Sequence, residues 1–126
     1  MTESVKFTKQ RDYLLVTLPD TVITTQRAEE ILARISEECA RDHFIKVLLD
    51  ERTVERRDVT SLDIMKLSAG IARRRVAKIY MAFWCQPQLI NADSDRLSLY
   101  TYTNEYIIRH FSEKDAAIAW LGAQRT

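Results

Sequence analysis

Glycine is scarce in this sequence, in which Gly70 and Gly122 are the only two among 126 residues. A dinucleotide-binding fingerprint or a phosphate-binding loop needs several glycines at fixed spacing, because the backbone amides must approach the phosphates closely. Neither motif can be built from this chain. We therefore expect no phosphate-binding loop and no cofactor.

Cysteine and histidine are equally scarce. The two cysteines, Cys39 and Cys85, are too few for a disulfide framework, and we expect both to be free thiols. The two histidines, His43 and His110, have no cysteine or histidine neighbours at the spacing of metal ligands, so we expect no metal site. No histidine lies near Cys85 in sequence, and no acid–base pair or nucleophile elbow is visible. The sequence therefore predicts a protein that is not an enzyme.

Long apolar runs and a charge of one sign are missing as well. No apolar run is long enough to cross a bilayer, and residues 1–6 lack the apolar core of a signal peptide. The formal net charge is +1, so no overall electrostatic field attracts nucleic acid or an anionic membrane. We therefore expect a cytoplasmic protein with no transmembrane segment and no nucleic-acid partner.

The residues that are present follow the pattern of one α/β domain over residues 1–126. Hydrophobic residues make up 46% and charged residues 29%, which is typical of a globular domain rather than a disordered chain. Strands are predicted at 5–10, 13–18, 45–49, 76–84 and 106–111. Helices are predicted from a cap at Thr24 or Thr25 to His43, from 60 to about 74, within 87–104, and after a cap at Ser112.

This order of elements, β-β-α-β-α-β-α-β-α, determines the expected architecture. Strands that alternate with helices require crossover connections, so the sheet should be mixed, five-stranded and mostly parallel. The first strand pairs with the second through a hairpin and should therefore run antiparallel at or near one edge. Residues 51–58 are expected to form a charged loop.

The element order resembles that of the STAS domains, the sulfate-transporter and anti-sigma-factor-antagonist family. Residues 111–121, Phe-Ser-Glu-Lys-Asp-Ala-Ala-Ile-Ala-Trp-Leu, are similar to the ending of an uncharacterised branch grouped with STAS and CRAL-TRIO lipid-binding domains. The resemblance covers nearly the whole chain. It implies a STAS-like fold and a non-catalytic regulatory module that binds a protein partner. The CRAL-TRIO side of the resemblance implies the alternative, a carrier of a small apolar molecule or lipid with a pocket under the last two helices.

Partner-switching STAS proteins carry an Asp-Ser-Ser-Gly segment in which the second serine is phosphorylated. The corresponding residues here, 58–62, read Asp-Val-Thr-Ser-Leu, so Thr60 falls on the phosphorylated position. Val59 replaces the first serine, and the glycine is absent. The resemblance implies Thr60 as the phosphorylation site, whereas helix capping by Thr60 and Ser61 explains both residues without any chemistry.

The carboxyl ends of parallel strands meet at one edge of a sheet, where ligands and partners of open α/β folds bind. We expect a protein partner to engage this edge. The residues expected there are Asp20, Thr21, Glu51, Arg52, Arg56, Arg57, Asp58, Thr60, Ser61, Trp84 and Cys85.

Two simpler interpretations of the same residues stay open. The charges of 50–58 can neutralise one another as a solvated loop, in which surface ion pairs contribute little. Met81 and the segment Phe83-Trp84-Cys85 can line an apolar pocket or belong to the ordinary core. The sequence also leaves open whether the chain forms a homodimer.

Overall fold

The computed structural model describes residues 5–58, 79–90 and 106–124. The strands in this part of the chain are, in order, β1 (Lys6–Lys9), β2 (Leu14–Thr17), β3 (Val22–Thr24), β4 (Lys46–Glu51), β5 (Arg56–Asp58), β6 (Ile79–Cys85) and β7 (Tyr106–Phe111). The helices are α1 (Thr25–Asp42), a short 3-10 helix (Pro87–Leu89) and α2 (Lys114–Ala123).

Five strands form the main sheet in the order β1-β2-β4-β6-β7. The edge strand β1 runs antiparallel to β2, and every other pair in this sheet is parallel. The hairpin between β1 and β2 is closed by the bond from the Gln10 N–H to the Tyr13 carbonyl, at 2.9 Å. The predicted mixed, mostly parallel five-stranded sheet is therefore confirmed.

A second, two-stranded parallel sheet joins β3 to β5, with Val22 opposite Arg56 and Thr24 opposite Asp58. The expectation that residues 51–58 form only a charged loop was wrong. β4 continues through Glu51, and β5 follows four residues later. The sequence Arg-Arg-Asp of β5 has no apolar alternation, so its strand pairing depends on a distant segment and carries no local signal.

Helix α1 begins where the sequence predicts. The Thr24 side chain accepts a hydrogen bond from the Arg27 N–H at 3.2 Å, which satisfies one free amide of the first turn. The helix ends at His43, whose left-handed backbone (φ 60°) directs its N–H to the Cys39 carbonyl. Ile31, Ile35 and Cys39 are buried at helical spacing, so this stripe packs on the sheet.

One other helix prediction needs correction. Ser112 does not cap α2, because the helix begins at Lys114 and its N-cap residue is Glu113, whose side chain makes no capping bond. Of the stretch 87–104, in which a helix is predicted, the described part contains the 3-10 helix Pro87–Leu89, and Ile90 has extended backbone angles. The remainder of that predicted helix and the helix predicted at 60–74 lie outside the described residues.

Helices α1 and α2 cover opposite faces of the main sheet. On the α1 face, Leu49, Met81, Phe83 and Ile108 belong to a core that also contains the buried stripe of α1. On the α2 face, Leu48 and Ala82 pack with Ala117 and Leu121. Successive strand residues point to opposite faces, so the continuous apolar runs of β4 and β6 supply both cores. In the described part of the chain, no helix combines the length and apolar character needed to cross a membrane.

Candidate functional site

The carboxyl ends of β2, β4 and β6 lie at one edge of the main sheet, which we call the carboxyl edge. The register places Asp50 opposite Trp84 and Glu51 opposite Cys85. The described residues predicted for the site all lie at or beside this edge: Asp20 and Thr21 after β2, Glu51 and Arg52 at the end of β4, Arg56, Arg57 and Asp58 in β5, and Trp84 and Cys85 at the end of β6. Thr60 and Ser61, including the predicted phosphorylation site, lie outside the described residues.

Hydrogen bonds between distant segments hold the loops of the carboxyl edge together. The Thr53 hydroxyl donates to the carbonyls of Leu18 and Asp20, at 3.1 and 2.8 Å. The Gln86 side-chain amide donates to the Arg52 carbonyl at 2.7 Å. The Glu55 N–H donates to a carbonyl after β2, that of Thr21, also at 2.7 Å. These bonds connect three crossover loops into one ordered surface.

Asp20 is mainly a structural residue of this edge. Its carboxylate accepts from Arg27 Nε at 2.8 Å and from Arg27 Nη2 at 3.2 Å, and both side chains are largely buried. The hydrogen bond to Asp20 raises the pKa of Arg27 above its ordinary value, against the opposing effect of burial. The pair fixes the first turn of α1 against the loop after β2, so the neighbouring Thr21 is the exposed residue there.

On the α2 face of the edge, Arg52 lies over the indole of Trp84, with its guanidinium carbon 3.8 Å from the ring centroid. The carboxylate of Asp50 accepts from Arg52 Nε and Nη2, each at 3.0 Å. Lys114, the first residue of α2, places its ammonium 5.5 Å from the same indole. We call Asp50, Arg52, Trp84 and Lys114 the tryptophan cluster.

On the α1 face of the edge, a second group surrounds Arg57. The Arg57 guanidinium forms an ion pair with the buried carboxylate of Glu51 and lies 5.8 Å from the ring of Phe83. The Phe83 ring meets His110 edge-on, with centroids 4.9 Å apart. Cys85 is 2% exposed. We call Glu51, Arg57, Phe83, Cys85 and His110 the arginine cluster.

Burial dominates the electrostatics of the arginine cluster. Desolvation raises the pKa of Glu51 above its ordinary value, although the charge of Arg57 opposes it. Desolvation and the positive charge of Arg57 lower the pKa of His110 from 6.5 to about 3. Burial, with a smaller contribution from Glu51, raises the pKa of the Cys85 thiol. At neutral pH the cluster therefore holds an uncharged imidazole and a protonated thiol.

This arrangement is unsuited to cysteine chemistry. A nucleophilic cysteine needs a lowered pKa and an accessible thiolate, whereas Cys85 is buried and its pKa is raised. In the described part of the chain, no group of three or more histidine, cysteine, aspartate or glutamate side chains is placed to hold a metal ion. Cys39 and Cys85 are both buried free thiols.

The sheet separates Trp84 from Cys85, so the two side chains do not line one pocket as predicted. Trp84 belongs to the core under α2, while Phe83 and Cys85 belong to the core under α1. Met81 and Phe83 are also buried in the core under α1. The alternative function predicts an apolar pocket under the last two helices. Residues 91–104, which contain one of those predicted helices, lie outside the described part of the chain.

Two residues of the site were missed from the sequence. His110 reaches the arginine cluster because β7 pairs with β6 in a register that sets it opposite Phe83. Lys114 reaches Trp84 because α2 starts at the carboxyl edge. The alternation of Ile108 and His110 along β7 was a signal that both side chains share one face, but the neighbouring strand could not be read from it.

No protein-family model matches this chain, and no curated protein matches its sequence. Among solved structures, the chain is similar to an uncharacterised protein from the DUF3478 family, with a SpoIIAA-like fold, from Shewanella loihica PV-4. The two chains are 17% identical, and the match covers 94% of this chain and 92% of the other with a TM-score of 0.55. The chain therefore has a SpoIIAA-like fold, which is the STAS-like fold.

Proposed function

We propose that this chain is a non-catalytic regulatory module that binds a protein partner through its carboxyl edge. The observation that carries the proposal is the network of hydrogen bonds from Thr53, Glu55 and Gln86, which holds the edge loops in place through contacts within the chain itself. A surface that is already ordered loses little conformational entropy on binding, so more of its contact energy remains as affinity.

The composition of the edge supports the same function. Arginine and tryptophan are enriched among the residues that dominate the energy of protein interfaces. Arg52 and Arg56 are exposed at this edge, and Trp84 is half-buried beside Arg52. The STAS-like fold is that of regulatory or binding modules and is generally non-catalytic. We place the interaction in the cytoplasm, in line with the composition.

The test compares two arginines with matched surroundings. The side chains of Arg56 and Arg41 are each 65% exposed, and each is paired with a carboxylate nearby in sequence, Asp58 and Glu38. Arg56 lies at the carboxyl edge, whereas Arg41 lies near the end of α1, at the opposite edge of the sheet. The variants Arg56→Glu and Arg41→Glu therefore make the same charge change at the two edges.

Partner recovery is measured by quantitative mass spectrometry after capture from native lysate with each folded variant. We expect Arg56→Glu to lose most of the specifically captured partner and Arg41→Glu to keep it. The variant Thr60→Glu extends the test to the helix predicted after β5, and we expect it to weaken binding as well by placing negative charge in the contact. Equal recovery with all variants would show that the partner binds elsewhere. A native mass spectrum of the purified chain would report a copurified apolar ligand or a homodimer directly.

A further inference from the structure

The indole of Trp84 lies close to two cations that come from separate elements. The Arg52 guanidinium carbon is 3.8 Å from the ring centroid, and the Lys114 ammonium is 5.5 Å from it. Arg52 follows β4, Trp84 lies in β6 and Lys114 begins α2, so the tertiary structure alone assembles this arrangement. Cations within about 6 Å of an indole centroid are attracted to the ring, which helps to hold both side chains in place.

Arg52 is both fixed and exposed. Its Nε and Nη2 atoms donate to the two carboxylate oxygens of Asp50, and its backbone N–H donates to Asp50 Oδ1 at 3.2 Å. Asp50 is buried, while 58% of the Arg52 side chain is exposed. The Nη1 group has no acceptor in the described part of the chain, so one end of the guanidinium is available to a ligand.

Lys114 makes fewer polar contacts than Arg52 in the described part of the chain. It is exposed and makes no ion pair with any residue that the structure describes, and its close contact is the Trp84 ring. Its three N–H donors have no acceptor among the residues that the structure describes. Arg52 and Lys114 together supply unused charged donors around one aromatic surface.

We propose that Arg52, Trp84 and Lys114 form the contact point for an acidic segment of the protein partner. In this contact, one carboxylate of the segment accepts from Arg52 Nη1, another pairs with Lys114, and the aliphatic part of the segment covers the indole. The inference rests on the proposed function and names the chemistry of the partner at that surface.

The charges nearby favour a peptide over a nucleic acid. Glu55 and Asp58 are exposed at the same edge, and Glu113 and Asp115 flank Lys114 in sequence. A phosphodiester backbone carries a charge at every nucleotide and would meet this negative charge, whereas an acidic peptide can present a few carboxylates to the two cations. One half-buried indole is also a small stacking surface for bases.

The experiment uses the full chain and an acetylated Glu-Ala-Leu-Glu peptide amide, which presents two carboxylates and an aliphatic side chain, at low ionic strength. The chain has two tryptophans, Trp84 and Trp120, so a proton–nitrogen correlation spectrum of isotope-labelled protein contains two indole signals, which the variant Trp120→Phe assigns. We expect the peptide to shift the Trp84 signal saturably. The Trp120 signal should move much less, because this ring packs between Tyr80 and Phe111 under α2.

Lys114→Gln is the decisive variant, because replacing Arg52 would also leave buried Asp50 without its partner. We expect Lys114→Gln to weaken peptide binding about fivefold, the upper range for one exposed ion pair. Arg41→Gln makes the same charge change at the opposite edge and should leave the affinity unchanged.

Three results would overturn the inference: no shift of Trp84 with the peptide, equal weakening in both variants, or tighter binding of a single-stranded oligonucleotide of the same charge. A Trp84 shift that depends on protein concentration alone would assign the surface to a second copy of the chain. One combined result would be that Arg56→Glu abolishes partner capture while the peptide does not shift the Trp84 indole signal. This result would support partner binding at the carboxyl edge and refute the acidic segment as its contact. If the peptide binds but Arg56→Glu captures the partner normally, the proposed function, partner binding through the carboxyl edge, is refuted.

Discussion

The partly buried imidazole of His110 should make the stability of this protein depend on pH. His110 meets the Phe83 ring edge-on, and its Nε2 has no hydrogen-bond partner in the structure of the described residues. Its burial and the nearby charge of Arg57 lower its pKa to about 3, so the folded protein keeps the imidazole neutral in mildly acidic solution. Glu51 and Cys85 are the other titratable members of the arginine cluster.

The direction of the pH effect on stability follows from the protonation of His110 in the folded and the unfolded chain. In the unfolded chain His110 takes up a proton as the pH falls below 6.5, its ordinary pKa, whereas the folded chain does not until about 3. The contribution of His110 to stability is therefore complete above 6.5 and is lost as the pH falls toward 3. Between about pH 7.5 and pH 5 this loss is about 2 kcal/mol, because only the unfolded state is protonated in that range. The raised pKa of Glu51 acts in the opposite direction, since stability is lost as the pH rises and Glu51 ionises.

Comparison with His110→Phe isolates the histidine, because Glu51 contributes to both proteins. The free energy of unfolding is measured by urea denaturation at both pH values. We expect the wild type to lose about 2 kcal/mol more than His110→Phe on acidification. His43→Asn, which replaces the exposed histidine at the end of α1, is the control and should keep the wild-type dependence. Equal pH dependence in the wild type and His110→Phe would refute the assignment of an imidazole that stays neutral in the folded chain.

Three further predictions concern the ion pair of the arginine cluster, the start of α1 and the two thiols. Arg57→Met should lower the free energy of unfolding in urea by about 3–5 kcal/mol, because the buried carboxylate of Glu51 loses its cation; a loss below about 1 kcal/mol would contradict a buried pair. Thr24→Ala should cost about 1 kcal/mol in thermal unfolding, since the cap of α1 is lost, and an unchanged midpoint would refute it. Cys39 and Cys85, each 2% exposed, should react with a thiol reagent only as fast as the chain opens; rapid labelling of either thiol without denaturant would contradict their burial.

Several features were predictable because they depend on residues that are close in sequence. The capping of α1 by Thr24 involves a residue three positions away, and the buried stripe that ends at Cys39 follows the helical repeat. The apolar run of β4 marked a strand with both faces covered, since it lacks the alternation of a half-exposed strand. The order of strands and helices then restricted the topology, so the antiparallel edge position of β1 followed as well.

Other features were beyond the sequence because they depend on which distant segments become neighbours. The pairing of β3 with β5 gave no periodic signal, since Arg56 and Arg57 are polar and their strand is short. The strand repeat already puts Trp84 and Cys85 on opposite faces, but it does not say which face meets which helix.

The sequence by itself determined the five strands of the main sheet, the start of α1 and the edge at which the loops collect, since local periodicity and crossover handedness control all three. The tertiary structure decided which charges are buried. The turn between β4 and β5 brought Arg57 to Glu51, and the register of β6 with β7 placed His110 beside Phe83. The contact of His110 with Phe83 joins strands that are distant in sequence, and the energies of both contacts depend on burial, which only the folded chain creates.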